Sequence, residues 1–98
     1  MKTALPSPTK DEARRMEIIA SQVGCIACWI DHKVYTPCQI HHLLDTGRRR
    51  GHQYSIGLCY NHHQGNGGIH RAKRLFRNQY GTDDDLLDLT NERIEQQG

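Results

Sequence analysis

The stretch that decides the reading begins Cys38-Gln-Ile-His41-His42-Leu-Leu44 and passes through the basic segment Gly47-Arg48-Arg49-Arg50-Gly51. It ends Ser55-Ile-Gly-Leu58-Cys59-Tyr-Asn-His62-His63-Gln-Gly65-Asn-Gly67-Gly68-Ile69-His70. Six of the seven histidines and two of the four cysteines fall between Cys38 and His70. Imidazole and thiolate groups bind metals, and imidazole also carries protons near neutral pH, so the chemistry of the chain is concentrated here.

Local geometry divides these residues. Gln39 to Leu43 reads as a short strand and Tyr54 to Leu58 as a second. Successive strand side chains face opposite ways, so His41 and His42 serve one site only if the strand ends and bends there. If Cys59 opens a helix, Cys59 and His62 share a face, whereas His63, about 100° further round, points to a different site. In an unbroken helix His70 would stand about 10 Å along the axis from His63, too far for both to bind one ion. Gly65, Gly67 and Gly68, with Asn66 between them, are expected to break the helix and fold His70 back.

Outward from this stretch, Cys25-Ile-Ala-Cys28 supplies two thiolates at the spacing that lets both sulfurs meet one tetrahedral ion. Cys25, Cys28, Cys59 and His62 form the expected structural zinc site, with Cys38 in place of His62 as the rival set. Outside the cage, Cys38 is a small buried strand residue. A thioredoxin-like redox pair would need a βαβ pattern, which is not seen. Two disulfides in a secreted domain is the other reading of four cysteines, but Met1 to Lys10 lacks an apolar export signal.

A chain of 98 residues with 36% hydrophobic and 6% aromatic residues makes one small core, which a bound metal would reinforce. No segment approaches the roughly 18 apolar residues of a membrane span. The expectation is a cytoplasmic protein with neither a membrane partner nor a small-molecule cofactor. The net charge of +2 conceals a segregation: Thr46 to Thr82 carries seven basic and no acidic residues, whereas Asp83 to Gly98 carries one basic and six acidic. A purely basic middle suits a surface that meets phosphate. Arg48, Arg49 and Arg50, and the outward Lys73, Arg74 and Arg77, are the candidate DNA-phosphate contacts.

Flanking elements follow from caps and periodicity. Met1 to Pro8 reads as a flexible arm. Thr9 and Glu12 form a capping box for a helix to Val23, with Met16, Ile19, Ala20 and Val23 inward and Gly24 ending it. Trp29 to Pro37 reads as a turn and short lead-in, with Trp29, Ile30, Val34 and Tyr35 as apolar contributors and His32 solvated. Arg71 to Tyr80 reads as a helix with Leu75, Phe76 and Tyr80 inward. Thr82 caps a last helix whose Asp83, Asp84 and Asp85 suit its positive end; Leu86, Leu87, Leu89 and Ile94 form its packing face.

Taken in order, Cys25-x-x-Cys28, His41-His42, Leu58-Cys59-x-x-His62-His63 and His70 resemble the HNH endonucleases that pair a ββα-metal core with a zinc knuckle. The run His-His-Leu-Leu, Arg-Arg, Leu-Cys-x-x-His-His-Gln-Gly and the later Tyr-Gly-Thr resemble more closely the phage Ref recombination nucleases. That resemblance implies an α+β fold, a small zinc-stabilised ββα-metal (HNH) core with flanking N- and C-terminal helices. The domain would cover residues 9–98, with its core at 25–70 and C-terminal helices over 71–96. It also implies DNA cleavage dependent on RecA filaments. Carried over by position, His41, His63 and His70 would hold a catalytic divalent ion (Mg2+, Mn2+ or Zn2+), His42 would be the general base, and Cys25, Cys28, Cys59 and His62 would hold structural Zn2+. The asparagine of the HNH pattern has no evident counterpart, since His52, Gln53 and Tyr54 occupy that stretch. The His63 to His70 gap exceeds the common spacing, and the basic arm of Ref-type proteins is reduced. The alternative function is a non-catalytic zinc-stabilised DNA-binding or recombination-accessory module.

Overall fold

The computed structural model describes residues 7–45, 48, 49 and 51–97. Most of the expected Met1–Pro8 arm, together with Arg50 and the side chains of Arg48 and Arg49, lies outside them.

Helix α1 (Lys10–Ile18) starts as its sequence requires. The Thr9 hydroxyl accepts from the Glu12 amide and the Glu12 carboxylate accepts from the Thr9 amide, so two end amides are satisfied reciprocally. The helix then widens into a π turn over Ile19–Val23, closed by the Gly24 amide donating to the Ile19 carbonyl at 2.7 Å. Gly24 adopts φ 72°, and a Cβ there would stand 2.4 Å from the Thr36 carbonyl oxygen, so a side chain is excluded on both counts. The widened turn buries Ile19 and Val23 but leaves Ala20 exposed, contrary to the inward position its spacing suggested.

Cys25 caps a second helix, α2 (Ile26–His32), its sulfur accepting from the Cys28 amide. The expected turn from Trp29 is therefore partly helical, and the chain turns at Lys33, in the left-handed region with φ 58°. Ile26 and Ala27 are buried, whereas Val34 and Tyr35 lie on the surface at 49% and 45% exposure. Tyr35 still ties this segment down, donating from its hydroxyl to the Ala20 carbonyl.

Strands β1 (Gln39–His42) and β4 (Ser55–Leu58) pair antiparallel, with His41 opposite Ile56 and His42 opposite Ser55. The basic segment between them contains a second antiparallel pair, β2 (Leu44–Asp45) with β3 (Arg48–Arg49). Cys59 leads into α3 (Tyr60–His63), which completes a strand–strand–helix unit. Helices α4 (Lys73–Tyr80) and α5 (Asp83–Gln97) follow. At the start of α5, Thr82 and Asp85 reproduce the reciprocal capping of α1.

The fold is α+β, and its core lies where α2, β4, α4 and α5 meet: Ile26, Leu43, Ile56, Leu58, Phe76 and Leu86 are essentially inaccessible. Burying each such side chain contributes about 1.5–3 kcal/mol, so a handful of them makes a modest core. On α4 only Phe76 is buried; Leu75, expected inward, is 69% exposed because the helix begins at Lys73 and turns the Phe76–Tyr80 edge toward the core.

Candidate metal centres

Four ligand atoms converge between the N-cap of α2 and the helix α3. His62 Nδ1 lies 3.4 Å from Cys25 Sγ, 3.6 Å from Cys28 Sγ and 3.2 Å from Cys59 Sγ, and the Cys28 and Cys59 sulfurs are 3.9 Å apart. A tetrahedral ion with zinc–ligand distances near 2.3 Å for sulfur and 2.0 Å for nitrogen places its ligands about 3.5 to 3.8 Å apart. These edges match, so the set could hold a structural zinc ion. Burial pushes the Cys25 thiol up to about 12, despite backbone hydrogen bonds that favour the thiolate, so an incoming ion must displace its proton. Cys38 stands outside the group. Its sulfur, half-buried, reaches the Ile19 carbonyl at 3.7 Å, and the rival cage containing Cys38 does not form.

Three further imidazoles meet on the other side of α3. His41 Nδ1 lies 3.1 Å from His63 Nε2, which lies 3.0 Å from His70 Nε2. Nitrogen donors about 2.1 Å from one ion would stand about 3.0 Å apart in octahedral and about 3.4 Å apart in tetrahedral geometry, so this group too could hold a cation. Each residue arrives by a separate local cause. His41 comes from β1, and His63 sits one residue past His62, on a diverging direction. His70 returns because the chain doubles back on α3: the Ile69 amide donates to the His62 carbonyl at 2.8 Å and the His70 amide to the His63 carbonyl at 3.3 Å. Gly68 permits that approach, since a Cβ there would lie 2.9 Å from the carbonyl oxygens of Asn61 and His62.

Burial disfavours the charged form of two of these rings, His41 and His63. Burial first, then the neighbouring His63 and His70, lowers the His41 pKa to about 4. Burial also lowers His63 and His62. His63 Nδ1 donates to Gln39 Oε1 at 2.7 Å, which leaves its Nε2 lone pair turned toward the other two rings. A cleft of about 210 Å³ opens beside the cluster, lined by His41, Leu44, Ile69, His70, Lys73 and Asp83.

His42, on the opposite face of β1, does not join the three. Its Nε2 lies 3.1 Å from His52 Nδ1. His52 is held in turn, because Ser55 Oγ donates to its carbonyl at 2.7 Å and Arg15 donates to the Ser55 carbonyl, also at 2.7 Å. The sequence reading gave no site role to His52 or Gln39. The first was recoverable from strand register: pairing His42 with Ser55 places residue 52 just beyond the strand end. Lys73, Arg74 and Arg77 are exposed on α4, with Arg77 3.6 Å from Asp83.

This small α+β chain brings together two Cys/His groups that could each hold a metal ion, one a set of four ligands and one a set of three beside a cleft. The chain belongs to the recombination enhancement, RecA-dependent nuclease family, whose model matches residues 8–95. No curated protein and no solved structure matches it. Among the described residues, no helix is long and apolar enough to cross a membrane.

Proposed function

We propose that this chain is an HNH-type endonuclease that hydrolyses DNA phosphodiester bonds with a divalent metal ion, residues 9–98 acting as one nuclease domain. The observation that carries this is the convergence of His41 and His70 on His63 Nε2, at 3.1 and 3.0 Å, beside a cleft of about 210 Å³. The family, named for RecA-dependent recombination nucleases, supplies the setting: DNA as substrate and a RecA filament as partner.

Each residue then has a role. His41, His63 and His70 hold the ion, which when bound stabilises charge on the scissile phosphate and the departing oxygen. His42 takes the proton of the attacking water, as an imidazole suits near neutral pH. His52 braces the His42 ring at 3.1 Å. Lys73, Arg74 and Arg77 hold flanking phosphates, as do Arg48, Arg49 and Arg50. Cys25, Cys28, Cys59 and His62 hold a structural zinc that supports α3, the helix carrying His63.

A plasmid-nicking assay tests the reading, with Mg2+, Mn2+ or Zn2+ added and with or without RecA filaments. Metal-dependent conversion of supercoiled to open-circular DNA is expected, enhanced by the filament. Salt-sensitive binding without cutting under every condition would instead make the chain a zinc-stabilised accessory module.

A further inference from the structure

One motif singled out in the sequence, Tyr80-Gly-Thr, has no part in the proposed reaction. Tyr80 is the last residue of α4, and its hydroxyl sits between two groups from distant parts of the chain. It lies 3.1 Å from His62 Nε2 and 2.6 Å from Asp31 Oδ2, near the end of α2. Gln79 Nε2 approaches the same oxygen at 3.2 Å. The imidazole and phenol rings meet edge-on, with centroids 5.3 Å apart.

The direction of these hydrogen bonds is fixed by what each group can do. A carboxylate only accepts, so the phenol spends its single proton on Asp31. Its oxygen can then only accept from His62, so Nε2 carries the proton. The lone pair of His62 is thereby assigned to Nδ1, the atom 3.2 to 3.6 Å from the three cysteine sulfurs. A metal-binding imidazole needs that tautomer, and a partner on its other nitrogen holds the ring in line and raises its basicity.

We propose that Tyr80 and Asp31 are positioning residues of the Cys25–Cys28–Cys59–His62 cage, so that the bound ion ties the end of α2 to the end of α4. This rests on the reading of that cage as a metal site, not on DNA cleavage. Helix α4 also carries Lys73, Arg74 and Arg77. Filling the cage therefore steadies the basic helix that flanks the three-histidine cleft, although no α4 residue is a ligand.

The test uses the full chain loaded with Co2+, whose thiolate charge-transfer and ligand-field absorption reports a tetrahedral sulfur–nitrogen cage. In competition with a chelator, Tyr80→Phe and Asp31→Asn are each expected to weaken cage affinity about 10- to 100-fold. The double variant should lose little more than either single one, because the two residues form one chain of hydrogen bonds. Amides of residues 73–80 in the loaded protein should exchange faster in Tyr80→Phe. If Tyr80 merely packs, metal-free and loaded forms lose stability equally and Co2+ affinity stays within twofold; that result overturns the proposal. If the wild-type chain gives no thiolate–cobalt absorption, the cage reading fails and this proposal with it, while the nicking assay still judges the nuclease.

Discussion

Two neighbouring histidines of one short helix, His62 and His63, belong to two different clusters. His62 faces three sulfurs in a closed set of four ligands, braced from outside by Tyr80 and Asp31. His63 faces two imidazoles in a set of three, beside a cleft. Four protein ligands leave an ion nothing further to bind, whereas three leave positions for water and substrate. The proposed function gives stability to the cysteine side of α3 and chemistry to the histidine side.

If that division is right, the largest effect comes from the closed cluster. Cys25→Ser removes a buried ligand that also caps α2, in a chain with a modest core. Binding energy for a structural zinc is folding energy, so the variant is expected to lose several kcal/mol and cooperative unfolding. Thermal melting followed by circular dichroism measures it, and chelation of the wild type should reproduce it. By contrast His63→Ala should keep a cooperative melt while its metal content falls by one ion per chain. Comparable melting losses in the two variants would erase the distinction.

His42→Ala sharpens the comparison from the side of chemistry. Because His42 lies outside both clusters, the variant should retain its fold and full metal content, yet lose about 10²- to 10⁴-fold in cleavage rate. Wild-type nicking by this variant would remove His42 from the mechanism.

Acid should act on the histidine side through His41. With the histidine cluster emptied, His41 stays neutral when folded down to about pH 4, while the unfolded chain takes up its proton near pH 6.5. Its depressed pKa therefore contributes stability that is present above about 6.5 and lost as pH falls toward 4. Urea midpoints between pH 7 and pH 5 should fall for the wild type and fall less for His41→Gln. Parallel curves for the two would show that His41 is not the group responsible.

Much of this arrangement was legible in the residues themselves. The capping box at Thr9, the Cys-x-x-Cys pair, the divergence of His62 from His63 and the return of His70 past the glycines all follow from spacing within a few residues. Helix α2 was harder to read, because its N-cap is a cysteine whose sulfur accepts from Cys28. Nothing in a turn-like Trp29 to Pro37 announces that. The partners of the ligands were illegible for a different reason. Gln39 meets His63 across 24 positions, and Tyr80 meets Asp31 across 49. Such pairs depend on how strands and helices pack, which local periodicity does not encode. Gln39→Leu measures what one of them contributes. Losing the bond to His63 Nδ1 should weaken the second ion about 10- to 100-fold and leave cage occupancy unchanged. Isothermal titration of the cage-loaded chain reads this directly, and an unchanged second affinity would make Gln39 a bystander.

The smallest effect distinguishes the two faces by charge alone. Lys73 lines the cleft beside His41 and His70, and its charge helps depress His41. Lys33, the C-cap of α2, stands 5.8 Å from the Trp29 ring and does not line that cleft. If DNA crosses the histidine side, Lys73→Ala should weaken binding by a similar factor on every sequence. It should also flatten the dependence of log affinity on log salt by about one unit, the signature of one lost phosphate contact. Lys33→Ala should leave that slope alone. Fluorescence anisotropy with a labelled duplex between about 50 and 200 mM salt resolves the difference. Equal slope changes in the two variants would mean that the duplex does not choose the open cluster's face, and the division of labour across α3 would lose its functional half.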